Sequence, residues 1–110
     1  MKLPNADSAV VDIAKLRDYC LSTTHVRGRH KARVFQSSLG LTASHAEELR
    51  ATLLAAARTE AATATDADDF GQRYVVDFTM SRADRTARIR SSWIVRVGED
   101  VPRLTSCFVL

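Results

Sequence analysis

The residues with the clearest chemistry stand together in Gly28-Arg29-His30-Lys31-Ala32-Arg33-Val34-Phe35. A glycine lets the backbone approach a ligand closely, and the start of a helix offers free amide groups at a positive dipole end. Cations there work against the helix, because that end already carries partial positive charge. Finding Arg29, His30, Lys31 and Arg33 at such a start predicts that something anionic is held, most simply a phosphate. His30 and Arg33, three residues apart, share a helix face. Neighbouring cations disfavour the imidazolium and so favour the neutral ring that a general base needs. The plainer alternative is a solvated helix start with Lys31 and Arg33 as surface charges.

A second locus lies where the period changes to alternation. Tyr74, Val76, Phe78 and Met80 take one face of a strand, leaving Arg73, Asp77 and Thr79 on the other. After a turn at 81–85, Ala87, Ile89, Trp93, Val95 and Val97 share one face of a second strand. Thr86, Arg88, Arg90, Ser92 and Arg96 share the opposite one. If the strands pair as a meander, Arg73, Asp77, Arg88, Arg90 and Thr105 project from one surface, away from Tyr74, Phe78 and Trp93. Several arginines and a hydroxyl on one surface suit a phosphodiester and its charged transition state. The alternative is a wet outer face laced with Arg–Asp pairs.

The elements that must position these groups divide into a helical first half and a strand-rich second half. A short strand is expected at 9–11, with Asp12 as N-cap of a helix carrying Ile13, Leu16 and Cys20 on its buried side. A second helix fits 30–39, with Ala32, Phe35 and Leu39 buried and Gly40 as its left-handed stop. Thr42 or Ser44 opens a third; Ser44-x-x-Glu47 has capping-box form, and Ala46, Leu49, Leu53 and Ala56 make its stripe. The stretch 61–69 is small, polar and acidic and reads as a loop or hinge. Gly98-Glu99-Asp100 is a turn, and Pro102 precedes a last strand over 104–110. The expected fold is α+β, with N-terminal helices packed on one face of a small antiparallel meander of three to four strands.

The chain has 110 residues, 45% hydrophobic and 26% charged, which argues for one globular domain over 1–110 and against disorder. No apolar run is long enough for a bilayer, and the acid at Asp7 leaves no signal region, so a cytoplasmic, membrane-free protein is expected. The net charge of +3 is unevenly spread. No acid lies between Tyr19 and Ala46, whereas four acids and no base lie between Glu60 and Asp69. Of the 16 cations, 13 are arginine, a residue that grips phosphates bidentately.

Neither histidines nor cysteines have metal-ligand spacing, so no metal or other cofactor is expected. His25 and His45 read as surface residues, Cys20 and Trp93 as core. Cys107 has no signature of a thiol nucleophile. The ending Cys107-Phe108-Val109-Leu110 lacks a charged gatekeeper, so its strand edge is a candidate for pairing with a second copy or a partner.

Lys15-Leu16-Arg17-Asp18-Tyr19-Cys20-Leu21, the Gly28 segment and Leu39-Gly40-Leu41-Thr42 resemble a family of short bacterial proteins. Arg90-Ser91-Ser92-Trp93-Ile94-Val95-Arg96 and Arg103-Leu104-Thr105-Ser106-Cys107 carry the same resemblance. Similar modules look like the C-terminal toxin domains of contact-dependent and phage-associated polymorphic toxins. Helices followed by a meander look similar to barnase, EndoU and RelE-like ribonucleases. The resemblance implies metal-independent RNA cleavage through the ribose 2′-hydroxyl. His30 would be the base, Lys31 with Arg33 or Arg90 the phosphate clamps, and Thr105 a hydroxyl donor. Arg29, Arg73 and Arg88 would add phosphate contacts. The chain departs from barnase-like members in lacking a sheet glutamate, for which Asp77 would have to substitute. A small cognate antitoxin or immunity-type partner is implied as well. The rival expectation is a non-catalytic binding module, antitoxin-like or a nucleic-acid adaptor, using the same arginines only for attachment.

Overall fold

A computed structural model describes residues 1–110. Helix α1 is Ile13–Lys15, continued by one π-helical turn over Leu16–Cys20. Helix α2 is Arg29–Leu39 and α3 is Ala46–Thr59. Four strands follow: β1 (Ala62–Asp68), β2 (Gly71–Arg82), β3 (Arg85–Arg96) and β4 (Arg103–Val109). They form one antiparallel sheet in the order β1-β2-β3-β4, with the helices packed on one face, so the α+β expectation holds.

The helix boundaries follow local chemistry. The Asp12 side chain accepts from the Ala14 amide at 3.0 Å, as an N-cap should. Gly40 ends α2 at φ 69°, and its amide donates to the Gln36 carbonyl. The cap ahead of α3 is Thr42, not Ser44: the Thr42 hydroxyl and amide both meet the His45 ring nitrogen Nδ1. The histidine takes the place that glutamate holds in the expected box, so His45 is a structural residue.

Three expectations need correction. The stretch 61–69 is not a hinge but contains β1, paired with β2 from Ala62↔Val76 to Asp68↔Gly71. Of β1 only Ala62 is buried, so its ladder rests on backbone pairing and leaves no hydrophobic alternation to read. The strand expected at 9–11 is a single parallel bridge, Val10 to Arg103, at the edge of β4. Val97 lies beyond β3, in the turn that follows it, and is 73% exposed, so the strand alternation does not reach it.

Between helices and sheet lies a core in which Leu16, Phe35, Leu49, Leu53, Val76, Ile89 and Trp93 are all fully buried. The sheet's single buried polar side chain is Ser91, whose hydroxyl donates to the Val76 carbonyl at 2.7 Å and accepts from the Trp93 indole N–H at 2.9 Å. Ser91→Ala leaves the indole donor unpaired inside the core. It should cost about 1–3 kcal/mol in urea unfolding; a loss within error would show that the indole finds another acceptor. Arg82 ties the layers together, binding Glu48 of α3 at 2.7 Å and the Leu39 carbonyl of α2 at 3.1 Å.

Candidate functional site

The face of the sheet turned away from the helices is open, and its register decides what meets there. Asp77 of β2 stands opposite Arg90 of β3, which stands opposite Phe108 of β4. Thr79 faces Arg88 in the same way, and Ser92 faces Ser106. Asp77, Thr79, Arg88, Arg90, Ser92, Ser106 and Phe108 therefore share one surface, since side chains alternate with period two.

The centre of that surface is a bidentate pair. Arg90 Nε and Nη2 donate to Asp77 Oδ1 and Oδ2, each at 2.9 Å. Beside it, Arg88 Nη1 donates to Thr79 Oγ1 at 3.1 Å. From the helical layer, Lys31 reaches the rim of the face, its ammonium 4.5 Å from the centroid of the Phe108 ring. The surface thus runs from a carboxylate through a guanidinium and an aromatic ring to an ammonium.

Hydrogen bonds from Arg90 hold the Asp77 carboxyl below its usual range, partial burial opposes this, and the charges of Arg90 and Arg88 add to it. The folded carboxylate therefore binds its proton less tightly than the unfolded one. Its contribution to stability is full above the ordinary carboxylate range and is lost as pH falls from that range through the lower value of the folded state. The pair is partly exposed, so its contribution should be no more than about 1 kcal/mol. Urea midpoints measured from pH 7 to pH 3 should fall less steeply in Asp77→Asn than in the wild type; parallel slopes would remove the pair as a contributor.

Of the residues nominated from sequence, the fold brings Lys31, Arg88 and Arg90 to this face, with Asp77 among them. Arg73 shares the face further along β2 but is engaged with Asp68 at 3.2 Å. Thr105 sits at the irregularity where β4 slips against β3, and its hydroxyl donates to the Ser92 carbonyl at 3.1 Å. His30 is exposed and lies about half a turn from the buried Ala32–Phe35–Leu39 stripe, which directs it away from the sheet. No hydrogen bond or ion pair joins His30 to Arg90 or Thr105.

Arg29 and Arg33 are exposed like His30, and neither has a carboxylate partner. The start of α2 is therefore a basic surface without acids, beside the open face and not part of it. Its geometry is set by His25, whose Nδ1 accepts from the Arg27 and Gly28 amides at 3.1 and 3.2 Å.

Sequence reasoning missed Phe108 and Ser106. Alternation along β4 carried their signal, but only the register places them beside Arg90. The largest cavity, about 390 Å³, lies elsewhere, between Ser22, Thr24, Gln36, Thr42 and Ser44, and holds no charged side chain. The charged and aromatic groups converge on the open face and not on that cavity, so the open face is the candidate site. No three His, Cys, Asp or Glu side chains converge as a metal site would require. No helix is long and apolar enough to cross a membrane.

A family pattern described as Domain of unknown function (DUF6883) matches residues 2–110. The chain belongs to the DUF6883 family. The match spans the open face and α2. None of the curated proteins matches the chain.

Proposed function

We propose that the domain binds RNA on its open sheet face and cleaves it without a metal, at the row formed by Asp77, Arg90 and Lys31. The observation that carries the reading is the bidentate Asp77–Arg90 pair at the centre of a face that no helix covers. Two oxygens of a phosphate can accept the same pair of parallel N–H bonds that Arg90 now gives to Asp77, so substrate competes for the guanidinium. As Arg90 turns to phosphate, Asp77 loses the partner that depresses its proton affinity and becomes the better base for a ribose 2′-hydroxyl. The 2′-oxygen bonds to the adjacent phosphorus, the P–O5′ bond breaks, and the departing 5′-oxygen takes a proton from solvent. Arg88 and Lys31 stabilise charge growing on the phosphorane oxygens, and Phe108 offers an aromatic surface to a neighbouring base. Arg29 and Arg33 extend the basic track along α2. A neutralising partner for such a face would be acidic.

The test is labelled single-stranded RNA incubated with the protein in EDTA, read for retardation and for cleavage in the same gel. Wild type should do both, and Arg90→Ala should lose both. Retention without any cleavage by the folded wild type would reject the catalytic step and leave an RNA-attachment module, the reading favoured if Asp77 serves only to orient Arg90. Neither retention nor cleavage would reject both.

A further inference from the structure

Two pairs of large apolar side chains stay in solvent, in surroundings of opposite charge. The first pair sits where two turns meet at one end of the sheet. Phe70, at the β1–β2 turn, is 71% exposed, and its carbonyl accepts from the amide of the equally exposed Val97 at 3.0 Å. The turn is firmly held. Asp68 Oδ1 accepts from the Phe70 and Gly71 amides at 2.9 and 3.2 Å, and a Cβ on Gly71 would collide with the Val95 carbonyl. Asp66, Asp68, Asp69, Glu99 and Asp100 belong to the same two turns and the strand end beside them. Arg73 pairs with Asp68, and Arg96 and Arg103 pair with Glu99, while Asp66, Asp69 and Asp100 have no cation partner.

The second pair lies on and just before α2. The Arg29 amide donates to the His25 carbonyl at 2.9 Å, so the turn that carries Val26 leads straight into the helix. His30 and Val34, four residues apart, occupy the side opposite Ala32, Phe35 and Leu39, and Val26 stands four residues earlier still. Val26 is 77% exposed and Val34 42%. Arg27, Arg29 and Arg33 flank them, exposed and without a carboxylate partner. Apolar residues scattered singly on a surface need no explanation. Two pairs, one rimmed by free acids and the other by free arginines, complement each other.

We propose that the Phe70–Val97 tip of one copy docks on the outer face of α2 of a second copy. Phe70 and Val97 cover Val26 and Val34, and the free carboxylates of Asp66, Asp69 and Asp100 meet the guanidiniums of Arg27, Arg29 and Arg33. A second copy is the occupant because one chain carries both halves of the match. The two patches differ, so the contact is head-to-tail. Neither patch includes Asp77, Arg88 or Arg90. Arg29 and Arg33 also belong to the basic track proposed for RNA, so the test contains no RNA and stands or falls apart from that reading.

The experiment is sedimentation equilibrium of the purified protein over a concentration series, at about 50 mM and about 500 mM salt. At low salt the average mass should rise above that of one chain as concentration increases, and at high salt it should return to it. Phe70→Ser should weaken association at least about tenfold. Its ring is in solvent, so the fold should be unchanged. Charge reversal supplies a second arm. A tip variant, Asp66→Arg with Asp69→Arg, repels the basic α2 of an identical copy. An α2 variant, Arg29→Glu with Arg33→Glu, repels the acidic tip of an identical copy. Each should be monomeric alone, and the two mixed should associate, because each meets the opposite charge in the other. Wild type that stays monomeric at low salt, association indifferent to salt or to Phe70→Ser, or reversed variants that fail to associate when mixed would each overturn the proposal.

Discussion

Asp77→Asn should lower RNA cleavage by about two to four powers of ten, the range that a positioned general base supplies. Asparagine keeps the size of the side chain and one acceptor for Arg90, so the sheet and its register should survive unchanged. What it removes is the ability to take a proton. Retention of RNA should be equal or tighter, because one negative charge leaves a face that binds a polyanion. Loss of cleavage with retention intact is therefore the expected result, and cleavage within a few-fold of wild type would remove Asp77 as the base. His30→Ala belongs in the same assay. The resemblance to ribonuclease toxins nominates His30, whereas its place on the solvent side of α2, with no bond to Arg90, predicts nearly normal turnover. A large loss in His30→Ala with an intact Asp77→Asn would reverse the two assignments and move the reaction to the start of α2.

Trp93→Ala should be the most damaging single change to the fold. The indole is fully buried, projects from β3 into the core, and is satisfied by Ser91. Emptying such a site typically costs about 3–5 kcal/mol, against a total stability of about 5–15 kcal/mol for a domain of this size. Ser91 itself stays satisfied, because its hydroxyl still donates to the Val76 carbonyl, so the loss is one of volume and apolar contact. Trp93→Phe separates the contributions: it keeps an aromatic ring and deletes the N–H, and should cost far less. Urea unfolding of both variants measures the difference. Equal losses in the two would show that the indole hydrogen bond, and not packing, dominates at this position.

The helices were legible because their signals are local. Asp12, Gly40 and the Ala46–Leu49–Leu53–Ala56 stripe act within a turn or two of themselves, and each sits where its chemistry requires. The two long strands were legible for a related reason, since one face of each is buried and alternation follows. β1 was not, because an edge strand with one buried residue is held by backbone pairing to a neighbour and carries no periodic side-chain signal. The cap ahead of α3 was half legible: Thr42 was named, but the reciprocal partner was sought in Glu47 when it is His45.

The candidate site divides along the same line. By itself the sequence determined which residues could share the open face, because period two sends Asp77 and Arg90 away from Phe78 and Trp93 whatever the pairing. It determined the acid-free basic stretch around α2 as well. Tertiary structure alone decided who stands beside whom. Sliding β3 by two residues against β2 would preserve every face and still part Asp77 from Arg90. Only the packing of α2 against β4 brings Lys31 to Phe108 while leaving His30 in solvent. Composition and periodicity act through near neighbours, whereas register and layer packing are settled by contacts across the whole chain, and those contacts set the chemistry.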